Sequence, residues 1–206
     1  MGRMAFHPPA GFALYPEALA RDDQAALVAE VMALLEDAPL YRHALAGGKT
    51  MSVLNSNLGD LGWFADARGY RYQAAHPDTG RPWPAMPQSL LALWRAYSGA
   101  DVAPDACLIN LYRDGARMGL HRDMDEAERS APVVSISLGD TALFRLGGTK
   151  RTDPTGSFRL SSGDVCVLGG EARMAFHGVD RVIAGSSTLI PGGGRLNLTL
   201  RRAAKA

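Results

Sequence analysis

The stretch RLNLTLR, residues 195–201, alternates between polar and apolar side chains without exception. Successive side chains of a β-strand point to opposite faces, so the three leucines share one face. Arg195, Asn197, Thr199 and Arg201 share the other face. An ordinary surface strand gives the same pattern, with leucines inward and polar residues toward solvent. The alternation therefore predicts a strand and leaves open whether its polar face is exposed or lines an interior.

Seven further short strands precede this one, separated by Gly, Pro and Asp residues. About eight short strands at such spacing are typical of a sandwich or a jelly roll. We therefore predict a mainly β core over residues 104–202. The seven predicted strands are 107–113, 118–122, 132–138, 142–146, 157–160, 164–168 and 173–177.

Two helices are predicted before the strands. Apolar residues recur at three- and four-residue steps within 16–38 and again within 86–99. Asp22 or Asp23 suits the start of the first helix, and Pro87 suits the first turn of the second. We expect the helices to pack on the outside of the sheets, with a helical region over 1–44 and one domain over 1–206.

Residues 45–84 are rich in glycine yet carry scattered aromatic and arginine side chains. Aromatic faces stack on nucleobases and arginines neutralise phosphates, so one hypothesis is a lid that recognises nucleotides. The alternative is that the aromatic residues anchor a long loop to the core, and residue type alone favours this alternative. The side chains concerned are Trp63, Phe64, Tyr70, Tyr72, Trp83, Arg68, Arg71 and Arg81.

Composition limits the class of protein. Hydrophobic residues make up 47% and charged residues 21%, as in soluble globular proteins. A net charge of +1 gives no global basic field, so nucleic-acid binding would need a local patch. No membrane span and no secretory signal are expected. Cys107 and Cys166 each lie in an apolar run and are expected to be reduced core thiols, which fits a cytoplasmic protein. We also expect a monomer.

The segment His121-Arg122-Asp123 is the candidate metal site. In an extended strand His121 and Asp123 point to the same face. With His177 as a third ligand they would form the two-His, one-carboxylate set of non-haem Fe(II) oxygenases, which leaves one side of the metal open. The alternative is a pair that is satisfied by hydrogen bonds alone, because a His-x-Asp pair is common.

Asn110 and Tyr112 share one face of the strand that precedes this segment. If the strands close into a barrel, both could join the polar face of 195–201 around the metal ligands. Arginine binds carboxylates bidentately, so such a cavity suits a small dicarboxylate that also chelates iron. Arg195 and Arg201 would lie about 20 Å apart along the strand, so both can reach one small acid only if it lies alongside.

With these residues in view, the sequence resembles the AlkB family of Fe(II)/2-oxoglutarate-dependent dioxygenases from about residue 51 to 202. The resemblance implies a double-stranded β-helix, a jelly roll of the cupin type, with helices packed outside. The residues that carry it are Asn110-Leu111-Tyr112, His121-Arg122-Asp123, Asp125-Glu126, His177-Gly178 and 195–201, together with Leu61-Gly62-Trp63, 82–89 and 147–151.

The resemblance also implies the cofactors. Fe(II) would be held by His121, Asp123 and His177. The cosubstrate 2-oxoglutarate, used with O2, would be held by Asn110, Tyr112, Arg195, Asn197 and Arg201. Arg195 is expected at its distal carboxylate and Arg201 near the carboxylate that chelates iron.

The implied reaction is oxidative demethylation of bases such as 1-methyladenine and 3-methylcytosine, with release of formaldehyde, succinate and CO2. The substrate would be DNA, single-stranded or locally opened, with RNA as a further candidate. Trp63 would stack on the flipped base opposite His177. Asp125 would favour a cationic base, although without the resemblance Asp125 and Glu126 look like a solvated acidic turn. The remaining implied substrate contacts are Tyr70, Arg71, Tyr72 and Arg151.

Two other functions stay open on the sequence. One is a 2-oxoglutarate dioxygenase that acts on a small molecule or a protein side chain. The other is a non-catalytic, cupin-like metal-binding module, which would have no use for a carboxylate-binding set.

Overall fold

The computed structural model describes residues 6–44 and 47–205. Outside the described residues lie 1–5 of the predicted N-terminal region, 45–46 of the predicted lid, and residue 206. Twelve strands and two α-helices are assigned within the described part of the chain. In chain order they are β1 (Phe12–Tyr15), α1 (Arg21–Leu34), β2 (Leu54–Gly59), β3 (Gly62–Asp66), β4 (Gly69–Gln73), α2 (Gln88–Tyr97), β5 (Ala106–Tyr112), β6 (Met118–His121), β7 (Val133–Gly139), β8 (Ala142–Leu146), β9 (Gly156–Leu160), β10 (Val165–Leu168), a 3₁₀ helix (Gly170–Met174), β11 (His177–Val182) and β12 (Arg195–Arg201).

The strands form two principal antiparallel sheets and a separate hairpin. The larger sheet has six strands in the order β1-β10-β7-β12-β5-β2, and the smaller has four in the order β6-β11-β8-β9. Strands β3 and β4 pair only with each other. The predicted mainly β jelly roll with outer helices is confirmed.

Strand β12 lies inside the larger sheet, between β5 and β7, and both of its faces are buried. Its leucines are fully buried and share one core with residues of α1 and α2 such as Val31 and Trp94. Burying each leucine stabilises the fold by about 1.5–3 kcal/mol. On the other face, Arg195 and Arg201 are only 1% and 6% exposed, which excludes the solvent-facing interpretation.

Both predicted helices are present, with shorter ends than predicted. Helix α1 has Asp22 and Asp23 in its first turn, where carboxylates interact favourably with the helix dipole. Helix α2 begins directly after Pro87. Because both helices pack on the leucine face of β12, they leave its polar face to the opposite side of the sheet. None of the helices in the described residues is both long and apolar enough to span a membrane.

Three local predictions differ from the structure. The predicted strand 173–177 is wrong, because its first two residues close a 3₁₀ helix in which the Arg173 N–H bonds to the Gly169 carbonyl, and β11 begins only at His177. Strand β1 was missed and pairs with β10 at the sheet edge. Strand β2 lies within the predicted lid 45–84 but pairs with β5 in the larger sheet, so only the part from β3 onward lies outside the two principal sheets.

Candidate active site

The three predicted metal ligands come together where two strands of the smaller sheet meet. His121 ends β6 and pairs in register with His177, the first residue of β11. Asp123 follows two residues after β6, with Oδ1 3.7 Å from His121 Nε2 and Oδ2 3.9 Å from His177 Nε2. Donor atoms about 2.2 Å from a shared ion lie at most about 4.4 Å apart. Since all three donors lie within 4.8 Å of one another, a small contraction would place them on one ion.

Hydrogen bonds orient both imidazoles for this task. His121 Nδ1 lies 2.9 Å from the Gly119 carbonyl and His177 Nδ1 lies 3.0 Å from the Ala175 carbonyl. A carbonyl only accepts, so each Nδ1 carries the proton and each Nε2 keeps its lone pair for a metal. Close strand packing fixes the pair, because a Cβ on Gly178 would come within 2.7 Å of the Met118 carbonyl.

Charge and burial keep the ligands in metal-binding protonation states. Burial raises the pKa of Asp123, but attraction by Arg201 and the imidazoles outweighs it and holds that pKa well below its usual range. Burial, followed by repulsion from His121, lowers the pKa of His177 to about 4. Near pH 7 the set is one carboxylate with a neutral His177. Asp123 Oδ2 is buried and faces Arg201 Nη2 at 3.0 Å, but it accepts no hydrogen bond of good geometry from any described residue, so one of its lone pairs remains for a metal ion.

A cavity between the two sheets extends from these ligands along β12. Arg195 is fully buried at the other end from Asp123, and no described carboxylate pairs with it. It donates to Ser137 Oγ at 2.8 Å and to the Leu160 carbonyl at 3.2 Å, while its Nε has no partner in the described chain. Burial lowers the pKa of Arg195 to about 10, so it stays cationic at pH 7. A buried, unneutralised guanidinium calls for an anionic ligand.

The predicted amide and phenol groups line the middle of this cavity. Asn55 Nδ2 donates to Asn110 Oδ1 at 2.7 Å, and Asn110 Nδ2 donates to Asn197 Oδ1 at 3.4 Å. Burial raises the pKa of Tyr112 to about 12, which keeps its hydroxyl a donor. Among the described residues, the predicted ligands that the structure brings to the cavity are Asn110, Tyr112, His121, Asp123, His177, Arg195, Asn197 and Arg201.

Arg201 belongs to a buried network at the ligand end of the cavity. Its Nη2 lies 3.0 Å from Asp123 Oδ2, and its Nη1 donates to Glu126 Oε1 at 2.8 Å. Glu126 is also paired with Arg173, at 3.2 Å, and accepts from the Tyr72 hydroxyl at 2.8 Å. The glutamate is therefore a buried bridge between two arginines and not the solvated turn that the sequence alone suggested.

Arg173 was not among the predicted site residues. It is 3% exposed and donates to the Asp123 carbonyl and the Ala131 carbonyl, both at 3.2 Å. Its contacts tie the segment before His177 to the segment after His121. They join residues about fifty positions apart, so no local sequence pattern indicates them.

The β3–β4 hairpin presents the predicted base-stacking residue. Trp63 donates from Nε1 to Asp125 Oδ2 at 2.9 Å, and Tyr70 stacks on it at 5.6 Å with 15° between the planes. Gly62 is required here because a Cβ would come within 2.4 Å of the Trp83 ring. Trp63 is half-buried, so the alternative in which it belongs wholly to the core does not describe it.

The other predicted substrate contacts are distributed around the same rim. Arg71 is held by Asp66 at 2.9 Å and lies over the Phe64 ring, whereas Tyr72 turns inward to Glu126. Arg151 is exposed and donates to the Leu120 carbonyl at 2.9 Å. Tyr70 and Tyr72 share one face of β4, with Tyr72 reaching Glu126 at the cavity and Tyr70 exposed beside Trp63.

Comparison with known proteins points in one direction. Residues 11–201 match the 2OG-Fe(II) oxygenase superfamily. The chain is 61% identical to an Alpha-ketoglutarate-dependent dioxygenase AlkB homolog of Caulobacter vibrioides, over 95% of this chain and 89% of that protein. It is 45% identical to the Alpha-ketoglutarate-dependent dioxygenase AlkB of Escherichia coli, over 87% and 84%. The solved structure of OsALKBH1 superposes with a TM-score of 0.78 at 30% identity, over 97% of this chain and 99% of that one.

Proposed function

The chain belongs to the 2OG-Fe(II) oxygenase superfamily and, within it, to the AlkB dioxygenases, and from this premise we propose that it demethylates alkylated bases of the 1-methyladenine and 3-methylcytosine type. The proposed substrate is DNA that is single-stranded or locally opened, with RNA as a further candidate. The products would be the restored base, formaldehyde, succinate and CO2. The enzyme would act as a monomer in the cytoplasm.

The buried Arg195 is the observation that carries the proposal. A cationic side chain that is 1% exposed and has no carboxylate partner among the described residues is costly unless an anion joins it. Its cavity also contains the two imidazoles and Asp123. A protein that only stores a metal ion would need the three metal ligands but not the Arg195 guanidinium. Binding 2-oxoglutarate to the metal would use both.

The residues present fit the two groups that the family uses. His121, Asp123 and His177 would hold Fe(II), and Arg195, Asn110, Tyr112, Asn197 and Arg201 would hold 2-oxoglutarate. Because Arg201 contacts Asp123, it lies at the metal end of the cavity, which supports placing it near the chelating carboxylate. When bound, Fe(II), 2-oxoglutarate and O2 supply the oxidation of an N-methyl group, which then leaves as formaldehyde.

The chain's own residues orient the cosubstrate and keep the site dry. Arg195 would bind the distal carboxylate through its unpartnered Nε–H, and the Tyr112 hydroxyl would donate alongside it. The apolar walls Leu108, Val133 and Phe144 exclude water from the space between the sheets. Exclusion of water strengthens each charged contact and limits side reactions.

Asp125 supports the choice of a cationic base. It lies two residues after Asp123, is exposed, and forms no ion pair with any described residue. Glu126, by contrast, is already neutralised by two arginines. Trp63 holds Asp125 by its indole N–H, so a positively charged methylated base stacking there would meet an available carboxylate.

The test is turnover of defined oligonucleotides. The protein is incubated with Fe(II), 2-oxoglutarate and single- or double-stranded oligonucleotides that carry one 1-methyladenine, and formaldehyde, succinate and oligonucleotide mass are measured. We expect the loss of one methyl group and one succinate per formaldehyde, faster on single strands because no base pair must be opened. Succinate formation without loss of the methyl group would favour the small-molecule or protein dioxygenase. No Fe(II)-dependent succinate at all would favour the non-catalytic module.

A further inference from the structure

Three chain segments leave the smaller sheet at one end, directly beside the predicted iron ligands. Strand β6 ends at His121, β8 ends at Leu146, and both residues pair with His177 at the start of β11. The next residues along each segment, Arg122, the loop 147–153 and Phe176, therefore meet at one rim. His121 and Asp123 line the cavity, whereas Arg122 between them does not and instead lies over Phe176.

At this rim two arginines share one aromatic ring. The Cζ atom of Arg122 lies 5.2 Å from the centroid of Phe176, and that of Arg151 lies 5.8 Å from it. Arg122 also donates to the Thr149 carbonyl at 3.2 Å, and Arg151 donates to the Leu120 carbonyl at 2.9 Å. The Phe176 backbone is fixed by its bond to the Gly148 carbonyl at 2.9 Å. The two guanidiniums are thus held in place by a ring and two carbonyl groups.

Neither guanidinium is neutralised within the described chain. No carboxylate in the described ranges lies within ion-pair distance of Arg122 or Arg151, and the buried Arg122 Nε has no hydrogen-bond partner. The arginines of the hairpin differ, because Arg68 and Arg71 share the single carboxylate of Asp66, at 3.2 Å and 2.9 Å. By this ion-pair comparison the hairpin pair keeps one net positive charge, whereas the pair at Phe176 keeps both of its charges.

We propose that Arg122 and Arg151, braced by Phe176, bind a backbone phosphate of the strand whose base enters the cavity. This inference rests on the proposed function, which makes nucleic acid the substrate. Guanidinium groups bind phosphate oxygens through two parallel N–H donors. When a base is extruded its backbone stays outside the pocket, which is where Arg122 and Arg151 point. Arg151 was already expected to contact substrate, whereas Arg122 receives its role from this geometry.

The test is the salt dependence of binding. The protein loaded with Fe(II) and 2-oxoglutarate is titrated without oxygen against a fluorescent single-stranded oligonucleotide that carries one 1-methyladenine, at several NaCl concentrations. Each phosphate contact contributes about 0.7 to the slope of log K against log salt on single strands. Because the proposed contact needs both arginines at one phosphate, we expect Arg122→Gln and Arg151→Gln each to lose that same contact, which lowers the slope by about 0.7 and weakens binding at low salt about tenfold.

Two further variants separate charge from side-chain shape and from general surface effects. Arg122→Lys keeps a positive charge, so the slope should stay close to wild type while affinity falls, because a lysine cannot reproduce the guanidinium fork. Arg145→Gln removes a partly exposed arginine of β8 that already pairs with Asp180 at 2.9 Å, and it should change neither quantity. If Arg122→Gln unfolds, the exposed Arg151→Gln still reports the slope.

An unchanged slope in the folded Gln variants would overturn the phosphate site, even if wild type demethylates the oligonucleotide. A wild-type protein that binds the oligonucleotide with the expected slopes but releases no formaldehyde would instead overturn the proposed function and leave the phosphate site standing. An equal loss of slope in Arg145→Gln would also overturn the phosphate site, because the loss would then reflect net charge alone.

Discussion

The cavity between the sheets and the β3–β4 hairpin hold their polar groups in different ways. In the cavity, Arg201 is 6% exposed and contacts Asp123, Glu126 and Tyr72 at once. In the hairpin, Tyr70 is 59% exposed and its ring is stacked on Trp63. The first region is fixed by burial and by several partners for each group, whereas the second is a separate two-stranded sheet that carries an exposed aromatic side chain.

The difference indicates that the two regions have separate roles. Groups that hold a metal and a cosubstrate must keep one geometry, and a buried network supplies this rigidity. A hairpin that pairs with no other sheet can adjust to a base and its flanking strand. Tyr72 joins the two regions, because its hydroxyl reaches Glu126 from β4. The variants below remove contacts from one region or the other.

Asp123→Ala should have the largest effect. It removes the proposed carboxylate ligand and leaves Glu126 as the one acidic partner of Arg201 among the described residues. We expect turnover of the methylated oligonucleotide to fall to background with the fold retained, as measured by formaldehyde release and circular dichroism. The matched control Asp180→Ala removes an exposed carboxylate and should keep wild-type turnover. Full activity in Asp123→Ala would refute the metal assignment.

Glu126→Gln should have the next largest effect, a decrease in the free energy of unfolding. The substitution takes the negative charge from between Arg173 and Arg201, and breaking a buried ion pair in this way costs about 3–5 kcal/mol. The free energy of unfolding in urea measures it. Glu36→Gln, at an exposed position of the loop after α1, should stay within about 0.5 kcal/mol of wild type. A similar small change in Glu126→Gln would mean that the network adds little rigidity.

Trp63→Ala tests the hairpin. If the indole stacks on the methylated base, oligonucleotide binding should weaken by about 1–3 kcal/mol, measured by anisotropy, while affinity for 2-oxoglutarate changes far less. Tyr15→Ala removes another exposed aromatic side chain, on β1, and serves as the control. Equal binding by Trp63→Ala and wild type would assign the indole to packing alone.

The pH dependence of stability that arises from His43, which contacts Ala65 of β3, should be the smallest of these effects. Burial lowers its pKa to about 4, and its Nδ1 accepts from the Ala65 N–H at 3.1 Å. The unfolded chain takes up the proton first, so stability is present above the ordinary histidine pKa and is lost as pH falls toward 4. From pH 7.5 to about 5.5 we expect wild type to lose about 1 kcal/mol more than His43→Gln, by urea unfolding. Parallel pH profiles would contradict this.

Much of the cavity could be predicted from sequence because its ligands lie on or next to strands with period two. The alternation of 195–201 places Arg195 and Arg201 on one face, and His121-Arg122-Asp123 follows the same rule. Both are local patterns. Strand β12 pairs with β5, so the predicted cavity required only one assumption beyond these patterns, namely that the sheet closes toward the metal ligands.

The parts that could not be predicted depend on distant contacts. Strand β2 looked like a loop because Asn55 and Asn57 are polar, but both are fully buried. Asn55 Nδ2 donates to Asn110, and Asn57 Nδ2 donates to the Tyr41 hydroxyl and the Trp63 carbonyl. Residues 173 and 174 of the predicted strand belong to a 3₁₀ helix, and Arg173 points inward to partners in the segments around Asp123 and Ala131. The rim around Phe176 also depends on distant contacts, because it forms where the ends of β6 and β8 meet the start of β11.

The central claim is that one cavity holds Fe(II) at its Asp123 end and the distal carboxylate of 2-oxoglutarate at Arg195. Calorimetric titration of 2-oxoglutarate into the protein under nitrogen, with and without Fe(II), tests it most directly. We expect one site per chain, tighter binding with Fe(II) than without it, and a loss of affinity of about tenfold or more in Arg195→Lys. Binding that is equally tight without the metal, and unchanged in Arg195→Lys, would contradict it.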